Sequence, residues 1–265
     1  MSFSKPFHRN VRGIKSGPNS GYSGWAYIID PEYAKEPSHY VRAYLLIQED
    51  LKLLFEYVEP SDEARATYSY RIHALFMRTC IEIEANFKAI LAENTFSLPS
   101  NRTRQDMRDY RKVDATHHLS SYEVMLPIWN GTPPVLRPFI PWLASRGVAC
   151  PEGAPLPWYQ AYNASKHDRQ DQFRKANLEN LLDAVAALLI LLASQFKDED
   201  FSAASRGLDI GSEYDPHPME PALGSLFRIR HPDDWEEHEL YEFNWSELKT
   251  QSDRFNKIDF NAVPY

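Results

Sequence analysis

The residues best equipped for chemistry are consecutive: Tyr162-Asn163-Ala164-Ser165-Lys166-His167-Asp168-Arg169. On a helix, Asn163 and His167 are four apart and share one face, Tyr162 and Lys166 share the neighbouring face, and Arg169 projects nearby. The stretch therefore concentrates an imidazole that titrates near neutrality, an amide, an ammonium and a guanidinium. Such a set suits a phosphodiester. His167 moves a proton, Lys166 and Arg169 stabilise the charge that develops, and Asn163 orients the imidazole or the phosphate, so no metal or cofactor is needed. The competing reading is structural: Asn163 and His167 close a buried hydrogen-bond network against a neighbouring helix while Lys166 and Arg169 are solvated.

Two further groups have spacing that could support the stretch. Arg78, Glu82 and Asn86 fall at i, i+4 and i+8 of a helical pattern, either facing the motif or forming a surface ladder. Arg102 to Lys112 holds five cations, Arg108 and Arg111 among them, against Asp106 and Asp109, with Tyr110 interleaved; it reads as a phosphate-contacting face or as an ordinary solvated one. The chain has no Gly-x-Gly-x-x-Gly, no phosphate-cradling Gly-x-x-x-x-Gly-Lys-Ser/Thr, no Gly-x-Ser-x-Gly, no His-Glu-x-x-His and no Cys-x-x-Cys. Dinucleotide, P-loop, α/β-hydrolase and zincin readings lose their usual support. The run His231 to Glu239 is rich in carboxylates, but its spacing matches no metal-site pattern and reads as a solvated acidic face. His117 and His118 diverge on a helix, one of them capping its C-terminus.

The elements that must position these residues are helical. Prolines and glycines between Pro6 and Pro37 predict an irregular arm over 1–37. Val41, Tyr44, Leu45, Leu51, Leu54, Phe55 and Val58 predict an amphipathic helix over 39–58, stopped by Pro60. Ile72, Leu75, Phe76, Thr79, Cys80, Ile83, Phe87 and Ile90 form one stripe of a helix over 62–94, about 45–50 Å long. A polar helix is expected over 103–118 and an apolar one over 173–196. Between them, YEVMLPIW and VLRPFIPW flank Asn130-Gly131, which predicts a β-hairpin inserted at 121–142. Beyond 197 the regular pattern fades into an extended appendage with short strand-like runs at 227–230 and 241–245.

Composition places the chain among folded proteins: 265 residues, 43% hydrophobic and 25% charged. The two cysteines, Cys80 and Cys150, cannot form a disulfide framework, the first twenty-five residues contain no apolar run of a secretory signal, and the longest apolar run, Ala184 to Ala193, is half the ~20 residues of a membrane span. A cytoplasmic protein without membrane association is expected. Charge is uneven. Residues 198–265 hold sixteen acids against six bases, net −10, so the overall −8 leaves +2 on residues 1–197. An acidic tail of this kind could fold over a basic face and compete with a polyanion, could contact a protein partner, or could serve solubility alone.

Asn163 and His167, placed before a long apolar helix and after the Glu-bearing helix CIEIEANFKAIL (Cys80 to Leu91), resemble the HEPN superfamily of helical-bundle proteins. That superfamily's motif, Arg-x(4–6)-His with a polar residue often following the Arg, marks metal-independent ribonucleases of toxin–antitoxin, phage-defence and CRISPR-associated systems. The resemblance covers roughly 40–197. His167 takes the motif histidine and Asn163 the polar residue, and Tyr162 stands where the family has Arg. It implies a mainly α fold, a HEPN-like bundle with an inserted β-hairpin and an irregular C-terminal appendage, assembled as a homodimer with motifs facing one another. The implied function is RNA binding or metal-independent RNA cleavage, with His167, Asn163, Arg169 and Lys166 catalytic and Tyr162, Arg78, Glu82, Arg108 and Arg111 contacting substrate. The alternative, favoured by Tyr162, is a non-catalytic interaction module.

Overall fold

The computed structural model describes residues 2–150, 153–202 and 217–264. Its helices are α1 (Ser20–Ser23), α2 (Pro37–Phe55), α3 (Tyr70–Glu93), α4 (Met107–His117), α5 (Pro157–His167), α6 (Arg169–Gln172), α7 (Leu178–Phe196) and α8 (Trp245–Leu248). Four short strands, β1 (Glu123–Met125), β2 (Val135–Leu136), β3 (Glu220–Pro221) and β4 (Arg228–Arg230), form one antiparallel sheet in the order β2-β1-β4-β3. The fold is thus mainly helical with an inserted hairpin.

The helices form where periodicity and caps agree. α3 and α7 make the most extensive helix pair, with α2 packed on both and α5 also against both. α2 buries Val41, Tyr44, Ile47, Leu51 and Leu54, and α3 buries the expected stripe from Ile72 to Ile90. α7 is covered on nearly all sides, every residue from Ala184 to Phe196 being buried. Among the described residues α7 alone is long and apolar enough to cross a membrane, and 83% of that window is buried inside the protein.

The boundaries differ from the sequence expectation. The helix expected over 62–94 begins at Tyr70, where the Ser69 hydroxyl caps the Ile72 N–H; at ~1.5 Å per residue its 24 residues span about 36 Å. The preceding segment is drawn into tertiary pairing, Ser61 with Asn130 and Tyr68 with Asn177, which competes with helix extension. The helix expected over 103–118 begins at Met107 behind an Asp106–Asp109 capping box. The last long helix begins at Leu178 rather than 173, capped by Asn177, and the segment before it folds into α5, α6 and a 3-10 turn over Phe173–Lys175.

Arm and appendage belong to the same core as the bundle. Phe7, Val11, Tyr27 and Tyr33 of the arm, and Phe227, Ile229, Tyr241, Trp245, Ile258 and Phe260 of the tail, join one buried cluster with α2, α3 and α7. Phe3 and Ile14 both pair with Tyr241, and the Tyr241 hydroxyl donates to the Asn10 carbonyl (2.9 Å) while accepting the Phe7 N–H (3.0 Å). Of the strand-like runs at 227–230 and 241–245, the first becomes β4, whereas the second is an extended partner of the arm leading into α8. The Asn130-Gly131 turn is not a tight hairpin, because Asn130 pairs with Ser61 and the link from β1 to β2 runs over residues 126–134.

Candidate functional site

α5 starts at Pro157, whose fixed φ and missing N–H suit the first helical position. It buries Trp158, Ala161, Tyr162 and Ser165, the i, i+3, i+4, i+7 face, against the bundle. The opposite side and the C-terminal end therefore face solvent: Lys166 and His167 are exposed and Asn163 is half-buried. Asp168 leaves helical geometry and caps α6 through the Asp171 N–H (3.3 Å), so Arg169 lies in a new helix, outside the register of Asn163 and His167.

Tyr162 is 1% exposed. Its ring meets Phe76 of α3 at 6.2 Å and Tyr159 at 5.5 Å, and its hydroxyl accepts the Lys166 ammonium at 3.1 Å, with that ammonium 4.9 Å from the ring centroid. Burial raises the phenol pKa, so Tyr162 is neutral. Position 162 thus holds a packed phenol that anchors Lys166.

His167, Arg169 and Asn163 make no side-chain hydrogen bond or ion pair among the described residues, so the buried Asn163–His167 network does not form. Asn163 borders a shallow groove of about 300 Å³ with Asp106, Met107, Arg108, Tyr159 and Gln160, which brings the N-terminus of α4 alongside α5. Arg104, exposed and without an ion pair among the described residues, is close enough to Lys166 for their charges to interact. Arg108 is exposed and holds Asp106 at 2.8 Å. The Phe173–Lys175 turn packs against α5 and places Arg174 and Lys175 at the same end. Residues 166–175 hold four cations and two carboxylates, net +2, with the His167 imidazole among them.

The remaining candidates lie elsewhere. Arg78 pairs with Asp50 of α2 at 2.6 Å. The Glu82 carbonyl accepts the Asn86 amide (2.9 Å), whose oxygen in turn accepts Gln195 of α7 (3.1 Å). This ladder faces α2 and α7, because residues 76, 80 and 84 are the ones that turn α3 toward α5: Phe76 touches Tyr162, and Glu84 accepts the Tyr159 hydroxyl at 3.3 Å. Arg111 is buried, its guanidinium engaged by the backbone and hydroxyl of Ser145.

Two groupings escaped the reading of the sequence. His118, in the left-handed conformation at the end of α4, lies between Asp234 (2.9 Å) and Glu239 (3.4 Å) with the Trp235 ring stacked on it at 3.8 Å. Arg146 binds Asp234 (2.7 Å), Ser120 (2.7 Å) and Ser121. Burial alone would raise the Asp234 carboxyl, but hydrogen bonds from Ser121, His118 and Arg146 outweigh it and hold the group well below the usual carboxylate range. Within the acidic run 231–239, Asp234 and Glu239 thus clasp His118, while Asp233, Glu236, Glu237 and His238 are exposed as the solvated face expected; no group of three or more metal-ligating side chains converges among the described residues. His117 is fully buried, its Nε2 at 2.8 Å from the Arg9 carbonyl, and burial pushes its pKa down to about 3. The second grouping is a cleft at the start of α7 around Glu179 and Asp183. Neither was legible, since their members come from segments far apart in the chain.

Fold and site define a mainly helical bundle with a small antiparallel sheet and a cationic helix end at its surface. Compared with family models, curated proteins and solved structures, the chain matches none.

Proposed function

We propose that this is a HEPN-like RNA-binding protein whose contact face is the C-terminal end of α5, the turn that follows it, and Arg104. The supporting observation is that Lys166, His167, Arg169 and Arg104 are all exposed and, among the described residues, none forms an ion pair with a carboxylate, in a chain of net −8. Phosphates then supply the missing anions, Asn163 offers an amide to a base or ribose, and the exposed imidazole can exchange a proton with a ribose 2′-OH. The buried Tyr162 at the family's Arg position favours binding over cleavage, because a phenol anchoring an ammonium has no fork to offer a phosphorane-like transition state.

The test is binding of a labelled single-stranded RNA in EDTA. Lys166→Glu with Arg169→Glu should weaken binding more than tenfold at low salt and flatten the salt dependence by about 0.7 log units per lost contact per decade of salt. Binding that ignores both salt and the double substitution removes the reading. In the same series His167→Ala should leave stability within about 0.5 kcal/mol, since its ring holds nothing together, while any cleavage by the wild type should vanish.

A second reading, a protein-interaction module, rests on a different surface. Leu46 and Leu53 lie seven residues apart on α2, Tyr57 follows in the turn just past its end, and Ile81 lies on α3; all four are exposed, and the Asp50–Arg78 pair joins the two helices. A second copy of the chain is the partner this seam suits, its carboxylate and guanidinium being able to exchange partners across a two-fold axis. On that reading light scattering at micromolar concentration gives a dimer for the wild type and a monomer for Leu46→Glu/Leu53→Glu; a wild-type monomer removes it.

A further inference from the structure

The cleft missed by sequence reasoning lies away from the cationic helix end. It has a volume of about 520 Å³, within the range of small-molecule sites, and opens between the first turns of α7, strand β2 and the start of α5. Its walls are mostly aliphatic, built from Leu136, Pro138, Ile140, Pro141, Pro157 and Leu182. Four charged side chains reach it, Arg65, Arg137, Glu179 and Asp183.

Three of the four are already paired. Arg65 binds Asp62 (2.9 Å), reaches Glu179 (3.8 Å) and stacks 4.9 Å from the Trp129 ring centroid. Arg137 pairs with Glu123. Asp183 alone accepts no hydrogen bond and makes no ion pair among the described residues. Burial, reinforced by the neighbouring Glu179 charge and opposed by Arg65, raises its carboxyl to about 6. At pH 7 it is still mostly ionised, a half-buried carboxylate against an apolar wall with no cation in direct contact among the described residues. A carboxylate in that condition gains most from a ligand that brings a positive charge on a hydrocarbon stem.

We propose that this cleft binds a small aliphatic amine, with its ammonium on the Asp183 carboxylate and its alkyl stem against Pro138, Ile140 and Leu182. The free amine, rather than a lysine of a peptide, is the occupant because β2 is bracketed by Pro133, Pro134 and Pro138, which lack the N–H groups an added strand would need.

The experiment titrates the full chain with n-butylammonium, n-butanol and a lysine blocked at both ends, following backbone amide shifts by NMR at pH 7.5 and pH 5. Butylammonium should give saturable shifts at the amides of Leu136, Arg137, Phe139 and Ile140 and of residues 179–183, with affinity at least about tenfold weaker in Asp183→Asn. In the wild type, affinity should also fall from pH 7.5 to pH 5, as the carboxyl protonates through about 6 with Glu179, Arg65 and Arg137 as its charged neighbours. The pH comparison needs no variant and so holds even if Asp183→Asn disturbs folding. Absence of saturable shifts, equal binding of butanol, or indifference to pH overturns the proposal; tighter binding of the blocked lysine overturns the assignment to a free amine.

Discussion

A chain ending at Lys197 loses its cooperative unfolding transition. Six large side chains of the tail, Phe227, Ile229, Tyr241, Trp245, Ile258 and Phe260, are each no more than 6% exposed and belong to the bundle's own core. At about 1.5–3 kcal/mol each, their burial is on the order of 10 kcal/mol, comparable with the whole stability of an ordinary domain. Polar anchors go as well: the Lys112 ammonium donates to the Phe260 carbonyl (2.9 Å), Asn94 accepts the Ile258 N–H (2.8 Å), and β4 leaves β1 without its central partner. Differential scanning calorimetry and near-ultraviolet circular dichroism read the result. A truncated chain that still melts cooperatively within a few degrees of the intact one contradicts this account. The expectation that truncation would uncover an RNA-binding face meets the contacts of the described tail, which run to the arm, β1, Gln48 of α2, the end of α3, and Lys112 and His118 at α4 rather than to the C-terminal end of α5; residues 203–216 lie outside the described residues.

Arg9→Ala should cost about 3–5 kcal/mol, a fall in melting temperature on the order of 10 °C. Arg9 is 0% exposed at the junction of the arm with α2, α3 and α7. Its Nε donates to Glu93 (2.7 Å), one terminal nitrogen to the Gln195 side chain (2.9 Å) and the other to the Lys35 carbonyl (2.7 Å), while the guanidinium lies 4.7 Å from the Tyr40 ring centroid and 5.5 Å from that of Phe196. Removing it strands a largely buried Glu93 carboxylate and an amide oxygen in the interior, the costly half of breaking a buried pair. Arg9→Lys keeps a charge but cannot form three divergent bonds, and should recover only part of the loss. Urea melts of the two variants measure the difference; a change below about 1 kcal/mol for Arg9→Ala would falsify the bracing role.

The helical frame and the face of α5 were readable because both are written in local spacing. Helical periodicity alone is enough to place Val41, Tyr44, Leu51 and Leu54, or Ile72 through Ile90, on one side of a rod. The same geometry puts Asn163 and His167 on one face, as found. Boundaries were less readable: a stretch without Gly or Pro from 61 to 69 permits a helix, but Ser61 and Tyr68 take β-bridge partners from distant segments instead. The acidic excess of the tail was legible as charge, yet charge says nothing of Tyr241 reaching Asn10 or Asp234 reaching His118, contacts that close loops of more than a hundred residues.

What the sequence by itself determined, then, is the set of amphipathic helices, the apolar character of α7 and the residue types gathered on α5, because each depends on neighbours within two helical turns. Only the tertiary structure decided that Tyr162 is buried and anchors Lys166, that His167 stands free, that Arg78 turns to Asp50, and that arm and tail complete the core. It also decided that Asp183 meets an apolar wall without a direct ion-pair partner among the described residues. The physical reason is that burial, pairing and desolvation are properties of a site assembled from distant segments, and a residue's type and spacing do not specify which distant surface will cover it.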